Sequence, residues 1–172
     1  MVPADPERLD DLRLVELVIF DFDGVFTDNS VLVSSEGIES VRCWRSDGLG
    51  LARLAALGVA TLVVSTEKNP VVSKRAEKLR IECRQAIDDK AECVRSLCAE
   101  RGISLDRVIF VGNDINDIPA LEIVGLSVVV ADAYPEAVEH ADLQLSRNGG
   151  YGAVRELCDM IWTARTTAQE KV

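Results

Sequence analysis

Apolar and polar positions divide the chain into two alternating kinds of segment. Short apolar runs predict six β-strands, over residues 17–21, 59–64, 81–85, 107–111, 126–130 and 142–145. Segments with a helical period predict five helices, over residues 47–57, 70–79, 89–101, 115–124 and 152–165. The second, fourth and fifth strand segments are almost continuously apolar, which is typical of strands covered on both faces. The alternation predicts an α/β fold, a Rossmann-like doubly wound parallel sheet with helices on both faces.

Glycines mark the predicted ends of three helices. Gly58, Gly102 and Gly125 each follow a helical segment, at the position where a left-handed residue commonly ends a helix. We therefore expect a left-handed C-cap at all three glycines.

One segment interrupts the alternation. Residues 30–44 hold two β-rich pieces around a Ser-Ser-Glu-Gly turn, which predicts an inserted β-hairpin too short to be a domain. Residues 1–13 are polar and acidic, and we interpret them as an N-terminal extension. The rest of the chain, residues 14–172, is expected to form a single domain.

Composition and charge narrow the class of protein. A length of 172 residues with 48% hydrophobic residues suits one core of ordinary size. The net charge of −10 argues against nucleic acid or an anionic membrane as a partner, because both require clustered Lys and Arg. The first residues lack the basic and apolar parts of a secretory signal, and no apolar run approaches the roughly 20 residues that span a bilayer. We therefore expect a cytoplasmic protein whose five scattered cysteines are reduced thiols.

Two carboxylates, two residues apart, follow the first predicted strand. Asp21 and Asp23 lie at the end of the apolar run 17–20. Because residues i and i+2 of a strand point the same way, both acids are expected at its carboxyl end, where ligands bind in an open α/β sheet. Like charges this close repel, so either one acid has a raised pKa or a cation lies between them.

Further polar residues follow at other strand ends and helix starts. Thr27 completes the pattern DxDGxxT with the two acids, Ser65 ends the second strand, Lys90 opens a helix, and GNDIND ends the fourth strand at 112–117. These motifs, in this order, resemble those of the haloacid dehalogenase-like hydrolase superfamily. The resemblance implies a phosphoric monoester hydrolase with Mg²⁺ as its cofactor.

The atoms of these residues suit phosphoryl transfer. Asp21 is a competent nucleophile at phosphorus, and Asp23 can protonate the leaving alkoxide and then deprotonate the attacking water. Ser65 and the Thr66 amide can donate hydrogen bonds to phosphate, with a turn or helix-capping hydroxyl as the alternative for Ser65. Lys90 can balance the charge of the transition state. A solvated Lys is the alternative, although a positive charge is unfavourable at a helix N-terminus.

The resemblance assigns the Mg²⁺ ligands to Asp21, the carbonyl of Asp23 and the GNDIND motif. Related proteins more often have an acid at the position of Asn113. An Asn oxygen can bind Mg²⁺ but carries no charge, so either the metal affinity is lowered or Asp114 or Asp117 compensates. Both acids can instead cap the following helix. For Asp117 we favour orienting a ligand over capping.

Short spacings leave no room for an independent cap domain. Asp23 and Ser46 are separated by 22 residues, and Ser65 and Lys90 by 24. This capless layout, together with the motifs DGLG, VADAYPE and GGYGAVREL, resembles the 3-deoxy-D-manno-octulosonate 8-phosphate phosphatase branch. That resemblance implies a homotetramer joined through the hairpins, in which neighbouring subunits close the site. A lone hairpin with open edges agrees with such an assembly.

The segment after Ser65 bears on the substrate. Octulosonate enzymes typically carry Gly-Arg there, whereas STEKNPVVSKRAEKL is closer to phosphatases of KDN and acylneuraminate 9-phosphates and to the phosphatase-like domains of acylneuraminate cytidylyltransferases. Glu67 can accept hydrogen bonds from sugar hydroxyls. Arg75 and Lys78, three apart on one helix face, can bind the substrate carboxylate. A solvated helix surface is the alternative for this basic patch.

Two functions remain open. The first is hydrolysis of a sugar-acid phosphate, a 2-keto-3-deoxy nonulosonate 9-phosphate or octulosonate 8-phosphate, through an aspartyl-phosphate. The second is a catalytically weak homologue that acts as an oligomerisation or regulatory module in nonulosonate activation, which Asn113 and Thr66 favour. The hairpin and GNDIND argue against a receiver domain, which also carries acids after its first strand.

Overall fold

The computed structural model describes residues 12–169. Over this range the strands are β1 (Leu17–Phe20), β2 (Leu32–Val33), β3 (Glu39–Ser40), β4 (Ala60–Val64), β5 (Glu82–Arg84), β6 (Val108–Gly112), β7 (Leu126–Val129) and β8 (Leu143–Gln144). Six of them form a parallel sheet in the order β5-β4-β1-β6-β7-β8. The other two, β2 and β3, pair antiparallel as a separate hairpin, in the segment where the sequence predicts one.

Six helices of the described range lie between these strands or follow the last one. They are α1 (Asp47–Ala56), α2 (Val71–Leu79), α3 (Lys90–Arg101), α4 (Ile118–Leu121), α5 (Pro135–Glu139) and α6 (Ala153–Gln169). Two 3₁₀ turns, at Leu105–Arg107 and Ile115–Asp117, precede β6 and α4. The predicted α/β alternation is therefore confirmed.

The sheet is covered on both faces. Val18 and Phe20 of β1 pack into one core with residues of α1, α2 and α6, whereas Leu17 and Ile19 pack into the other with residues of α3, α4 and α5. Every residue of β1, β6 and β7 is buried. Fully burying a Val, Leu, Ile or Phe side chain contributes roughly 1.5–3 kcal/mol, which explains why the continuous apolar runs form the centre of the sheet. The predicted doubly wound Rossmann-like fold is confirmed.

The chain order places a switch point beside β1. After β1 the chain builds β4 and β5 on one side, and it then returns through α3 to build β6 on the other side. Phe20, the last residue of β1, is level with Val63 of β4 and Val111 of β6. The segments that follow these three strands therefore meet at the carboxyl edge of the sheet, where open α/β proteins bind ligands.

Two local predictions differ from the structure. The helix expected over 115–124 begins as a 3₁₀ turn and ends at Leu121. Gly58 and Gly102 have the expected left-handed φ of 74° and 65°, but Gly125 is not among the glycines with positive φ. A Cβ at Gly125 would lie 2.3 Å from the Asp106 carbonyl oxygen, so this glycine permits a close backbone approach and does not form a left-handed cap.

Three further predictions concern the N-terminal extension, membrane-spanning helices and the cysteines. Leu12 is 1% exposed and packs in the core, while residues 1–11 of the predicted extension lie outside the described residues. None of the helices described over residues 12–169 combines the length and the hydropathy that a bilayer crossing requires. All five cysteines fall within this range as free thiols, in agreement with the sequence.

Candidate active site

A buried lysine joins two buried acids at the switch point. The Lys90 Nζ lies 2.8 Å from Asp21 Oδ1 and 2.6 Å from Asp117 Oδ1. The three side chains are 1%, 6% and 0% exposed, respectively. Asp21 is fixed directly after β1, because its N–H donates to the Val111 carbonyl of β6 at 2.9 Å. The structure thus brings together the predicted strand-end acid, the helix-start lysine and the last acid of GNDIND.

The start of α3 explains how Lys90 reaches this position. Asp89 is the N-cap, and its carboxylate accepts a hydrogen bond from the Glu92 N–H at 2.9 Å. Lys90 is the first helical residue, where a cation opposes the helix dipole. The carboxylates of Asp21 and Asp117 offset this cost. Lys90 therefore has a role in the site besides opening the helix, as its unfavourable position predicts. The solvated alternative for Lys90 is wrong.

The GNDIND loop is held by Asp117. Its Oδ2 accepts hydrogen bonds from the N–H groups of Asn113 and Asp114, at 2.8 and 3.2 Å. Asp114 is half-buried, and its Oδ1 accepts from the Ile115 N–H at 2.7 Å, so it caps the 3₁₀ turn. Asp114 therefore follows the capping alternative, whereas Asp117 both closes the capping box and binds Lys90.

Small and hydroxyl residues shape the loop that carries the two acids. The buried Thr27 hydroxyl oxygen accepts from the N–H groups of Gly24 and Asn29, at 3.1 and 3.2 Å, which explains the Thr of DxDGxxT. The GGYG segment packs on the same loop, since a Cβ at Gly149 would lie 1.8 Å from the Gly24 carbonyl oxygen. Asp132 of VADAYPE holds Gly149 in place by accepting its N–H at 2.9 Å. The GGYG and VADAYPE motifs therefore pack on and hold the loop that carries Asp21 and Asp23, which is called the acid loop below.

Burial raises the pKa of both acids of the first motif. Burial and the charge of Asp117 raise the pKa of Asp21 to about 7, although Lys90 opposes the shift. Burial, followed by the charges of Glu67 and Glu39, raises the pKa of Asp23, again against Lys90. Asp23 is thus within electrostatic reach of the same lysine as Asp21. Of the two alternatives that the sequence leaves open, the raised pKa is found for both acids, whereas the cation Lys90 contacts Asp21 and Asp117.

The donor set around the two acids fits a divalent metal. Asn113 is 4% exposed, and its Oδ1 has no hydrogen-bond partner among the described residues. Its side chain lies against the acid loop, because a Cβ at Gly24 would be 2.1 Å from Asn113 Nδ2. Across residues 12–169 no group of three His, Cys, Asp or Glu side chains forms a metal cluster. Mg²⁺ needs few protein carboxylates, so Asp21, a backbone carbonyl and the unpaired amide oxygen are a suitable partial set.

The loop after β4 carries the predicted phosphate-binding residues. Ser65 is buried, and its Oγ accepts from the Glu67 N–H at 3.1 Å while its O–H remains a donor. Ser65 can therefore form this turn and still donate a hydrogen bond to a phosphate. Thr66 is half-buried beside it. The Glu67 Oε1 accepts from the N–H groups of Lys68 and Asn69, at 2.6 and 2.7 Å, so one oxygen of this predicted substrate ligand stabilises its own turn.

A cavity of about 180 Å³ opens beside Asp23. Glu67 and Asn69 line it from the loop after β4, and Glu39 lines it from the hairpin. A larger cavity of about 910 Å³ lies elsewhere, between α6 and Trp44, and none of these four residues lines it. We regard the smaller cavity as the substrate side of the site, because of these two cavities it is the one that Asp23 lines.

The two basic residues predicted to bind a carboxylate differ in their surroundings. Arg75 is half-buried, and its Nη2 donates to the Trp44 carbonyl at 3.0 Å, while its Nε is buried without a partner among the described residues. Lys78 is exposed. The structure therefore anchors Arg75 near the end of the hairpin and leaves both substrate roles as predictions.

Three residues of interest have no assigned role in the sequence analysis. Glu39 lies on a strand that is too short for periodicity to orient it, and Asn69 precedes a helix, where an amide usually indicates only a cap. Asp47, the first residue of DGLG, is 1% exposed, and burial raises its pKa to about 7. A helix-start aspartate is ordinarily solvated, so no sequence signal distinguishes this buried acid.

Comparison with known proteins agrees with the fold. The sequence profile of the haloacid dehalogenase-like hydrolases matches residues 67–157. The chain therefore belongs to the haloacid dehalogenase-like hydrolase family, as the motifs predict. The prediction of a phosphoric monoester hydrolase is also confirmed, since the curated relatives within this family are phosphatases.

Relatives within the family identify the branch. The 3-deoxy-D-manno-octulosonate 8-phosphate phosphatase KdsC of Salmonella typhimurium is 31% identical over 169 residues, which are 98% of this chain and 90% of the relative. A Streptomyces avermitilis protein described as a HAD family hydrolase is 42% identical with a TM-score of 0.85, covering 88% of this chain and 87% of that one. The Moraxella catarrhalis octulosonate phosphatase, in complex with magnesium, phosphate and KDO, is 28% identical with a TM-score of 0.90 over 96% and 95% of the two chains. The capless branch is thus confirmed, and the nine-carbon preference stays a prediction.

Proposed function

We propose that the chain is a Mg²⁺-dependent phosphatase that hydrolyses the phosphate monoester of a sugar acid through an aspartyl-phosphate. The observation that carries the proposal is the buried cluster at the switch point, in which Lys90 contacts both Asp21 and Asp117. The names of the relatives and the contents of the Moraxella structure support the substrate class and the cofactor.

In the first half-reaction, a carboxylate oxygen of Asp21 attacks the phosphorus atom. The bond from phosphorus to the sugar oxygen breaks, and Asp23 gives its proton to that oxygen, so the product leaves as an alcohol. The raised pKa of Asp23, caused by burial and by Glu67, favours the protonated form that this step requires.

The second half-reaction reverses the role of Asp23. Its carboxylate takes a proton from water as the water oxygen attacks the phosphorus of the aspartyl-phosphate. The bond from phosphorus to Asp21 breaks, inorganic phosphate leaves, and Asp21 returns to a free carboxylate. Asp23 is then protonated for the next cycle, so the proton balance closes.

Positive charge and hydrogen-bond donors balance the phosphoryl group. Lys90 lies against the nucleophile at 2.8 Å, and the Ser65 hydroxyl and the Thr66 amide follow the neighbouring strand. Asp21, the carbonyl of Asp23 and the Asn113 amide oxygen would hold Mg²⁺, which supplies charge that favours the ionised nucleophile and neutralises phosphoryl oxygens.

The substrate proposal follows from the residues around the acid loop. Glu67 lines the cavity beside Asp23 and presents a carboxylate to sugar hydroxyls. Arg75 and Lys78 of α2 are the cations for the substrate carboxylate, on the same helix face. The STEK segment favours a nonulosonate 9-phosphate over an octulosonate 8-phosphate, and the named relatives favour the latter.

The assembly proposal rests on the hairpin. Four of its apolar residues are 50–75% exposed, namely Val31, Leu32, Val33 and Ile38. Pairing with other subunits would cover this surface, as the resemblance to tetrameric enzymes implies. Light scattering is expected to show a tetramer, and a monomer would remove the shared-site proposal. The cytoplasm stays the predicted compartment.

A second candidate function is a catalytically weak homologue with an oligomerisation or regulatory role. Asn113 favours it, because an uncharged amide replaces the acid that related proteins more often carry there. The intact cluster of Asp21, Lys90 and Asp117 favours the enzyme.

Phosphate release from a panel of substrates decides between the two. Octulosonate 8-phosphate, KDN 9-phosphate and N-acetylneuraminate 9-phosphate are each incubated with the protein and saturating Mg²⁺, with the isosteric Asp21→Asn variant as control. We expect release from at least one of these phosphates and loss of release in the variant. No turnover on any sugar-acid phosphate would overturn the proposed function.

A further inference from the structure

Asn69 joins three separate parts of the molecule beside the cavity that Asp23 lines. Its Oδ1 accepts a hydrogen bond from the Val71 N–H at the start of α2, at 3.0 Å. Its Nδ2 donates to the Glu39 Oε2 of the hairpin at 2.9 Å. Its own N–H donates to the Glu67 Oε1 at 2.7 Å. The Asn69 side chain therefore contacts the helix and the hairpin, and the Asn69 backbone N–H contacts the loop after β4.

These contacts continue to the phosphate end of the site. The Glu67 N–H donates to the Ser65 Oγ at 3.1 Å, so a chain of hydrogen bonds runs from Ser65 through Glu67 and Asn69 to Glu39. Through these hydrogen bonds, the Asn69 side chain connects the hairpin to Ser65, whose hydroxyl is the proposed phosphate donor. A displacement of the hairpin is thereby linked to the loop that faces the phosphoryl group.

The hairpin needs such a contact to keep one position. Its strands have two residues each, and an isolated two-stranded hairpin is marginally stable. Its base is fixed where Thr27 pairs with Cys43 and where Arg42 binds Asp28 at 2.8 Å. Glu39 lies further out, opposite Val33, and also lines the cavity beside the acids.

We infer that Asn69 is a positioning residue that holds the hairpin wall of the substrate cavity in register with the loop carrying Ser65. The inference rests on the proposed function, because it concerns the part of the substrate beyond the phosphate. Asn69 itself touches neither the nucleophile nor its lysine. Its effect is therefore expected on large substrates that fill the cavity, and not on the chemistry of phosphoryl transfer.

The hydrogen bond between Asn69 and Glu39 can be broken and restored without removing the helix cap. Asn69→Asp keeps an oxygen for the Val71 N–H, and aspartate is as good an N-terminal cap as asparagine. It removes the donor and sets two carboxylates against each other. Glu39→Gln alone keeps an acceptor for Asn69 and is the matched control. In the Asn69→Asp/Glu39→Gln double variant, the new amide donates to the new carboxylate, so the bond is restored with reversed polarity.

The first measurement needs no substrate. Hydrogen exchange of the amides at 38–40 is followed in the full-length protein and in the three variants. We expect faster exchange in Asn69→Asp, and near-native exchange in Glu39→Gln and in the double variant. Exchange that is unchanged in Asn69→Asp, or that the double variant fails to restore, would overturn the inference whether or not the protein is active.

The second measurement compares two substrates with saturating Mg²⁺. Losing a hydrogen bond to a charged group costs on the order of tenfold in an equilibrium, so we expect kcat/KM for the sugar-acid phosphate to fall about tenfold in Asn69→Asp. Turnover of p-nitrophenyl phosphate, which lacks the sugar-acid chain, is expected to change less than about twofold, and the double variant is expected to recover kcat/KM for the sugar-acid phosphate. An equal loss on both substrates would show a disturbed phosphate loop and contradict the positioning role. A native protein inactive on every sugar-acid phosphate would overturn the proposed function, and the exchange measurement would still decide whether Asn69 holds the hairpin.

Discussion

Replacing Lys90 by methionine removes the charge between Asp21 and Asp117. Methionine is unbranched and apolar, so it occupies much of the same space and the change is mainly electrostatic. The two carboxylate oxygens contact the same nitrogen, at 2.8 and 2.6 Å. At 2.8 and 2.6 Å Lys90 attracts each carboxylate by roughly 6 kcal/mol at an effective dielectric constant of about 20, and the variant loses this attraction while the repulsion by Asp117 stays.

Loss of this attraction changes how the stability of the protein depends on pH. In the native protein the pKa of Asp21 is raised to about 7, by burial first and by Asp117 second. Without Lys90 the pKa rises further, so the variant keeps a proton on Asp21 above pH 7 while the native protein loses it. A raised carboxyl pKa gives stability at low pH that is lost as the pH rises. The difference between the two proteins therefore grows by about 1.4 kcal/mol per pH unit above pH 7, towards roughly 3 kcal/mol near pH 9.

Urea denaturation in EDTA at pH 6 and pH 9 measures this difference. Lys74→Met is the control, because Lys74 is 75% exposed and pairs with Glu77 on the surface of α2. We expect the control to cost less than about 0.5 kcal/mol at either pH. A loss of stability in Lys90→Met that is the same at pH 6 and pH 9 would refute the reasoning that its charge holds the two acids together.

Three other substitutions test the surroundings of the cluster. Asn113→Asp adds a charge to the metal site and is expected to tighten Mg²⁺ binding on the order of tenfold by isothermal titration calorimetry; an unchanged affinity would place Asn113 outside the site. Gly24→Ala is expected to lose more than about 2 kcal/mol in thermal melting, since φ is +81° and the Cβ would lie 2.1 Å from Asn113 Nδ2. Gly37→Ala, at φ +77° in open space, is its control, and equal losses would contradict this explanation. Burial raises the pKa of Asp47 to about 7, so native stability is expected to fall as the pH rises from 4 to 7, and Asp47→Asn to reduce that fall. Urea midpoints of both proteins, measured from pH 4 to 7, check the last prediction. A midpoint of Asp47→Asn that differs from the native midpoint by the same amount at every pH would contradict it.

Much of the fold follows from the sequence, because a strand covered on both faces has an unmistakable composition. The runs that form β4, β6 and β7 are almost continuously apolar, and their ends differ from the prediction by at most one residue. Parallel strands place their carboxyl ends on one edge, so the meeting of Asp21, Ser65 and GNDIND could also be predicted. The identity of the direct partners could not, since it depends on how far the Lys90 side chain reaches across the edge.

The two wrong local predictions concern residues that can take either of two structural roles. A glycine after a helix predicts a left-handed cap, but Gly125 instead allows the backbone to approach Asp106. The segment after Gly112 has a helical period, yet Asp117 turns back to bind the Asn113 N–H, so the chain first forms a 3₁₀ turn. Tertiary contacts override the local preference at both sites.

The contacts of the hairpin lie beyond sequence reasoning for a different reason. Glu39 and Asn69 are 30 positions apart, on elements whose separation is set by packing and not by periodicity. No charge pattern or spacing connects them. The resemblance of the segment after Ser65 to phosphatases of nonulosonate 9-phosphates does not connect Asn69 with Glu39 either.

Trapping the covalent intermediate tests the central claim most directly. The protein is mixed with Mg²⁺ and the sugar-acid phosphate that it hydrolyses best, quenched in acid within one turnover, and digested for mass spectrometry. The proposed mechanism predicts one phosphoryl group on the peptide that contains Asp21, and none in the Asp21→Asn variant. Phosphate release at the native rate by that variant, or a phosphoryl group at any other residue, would contradict it.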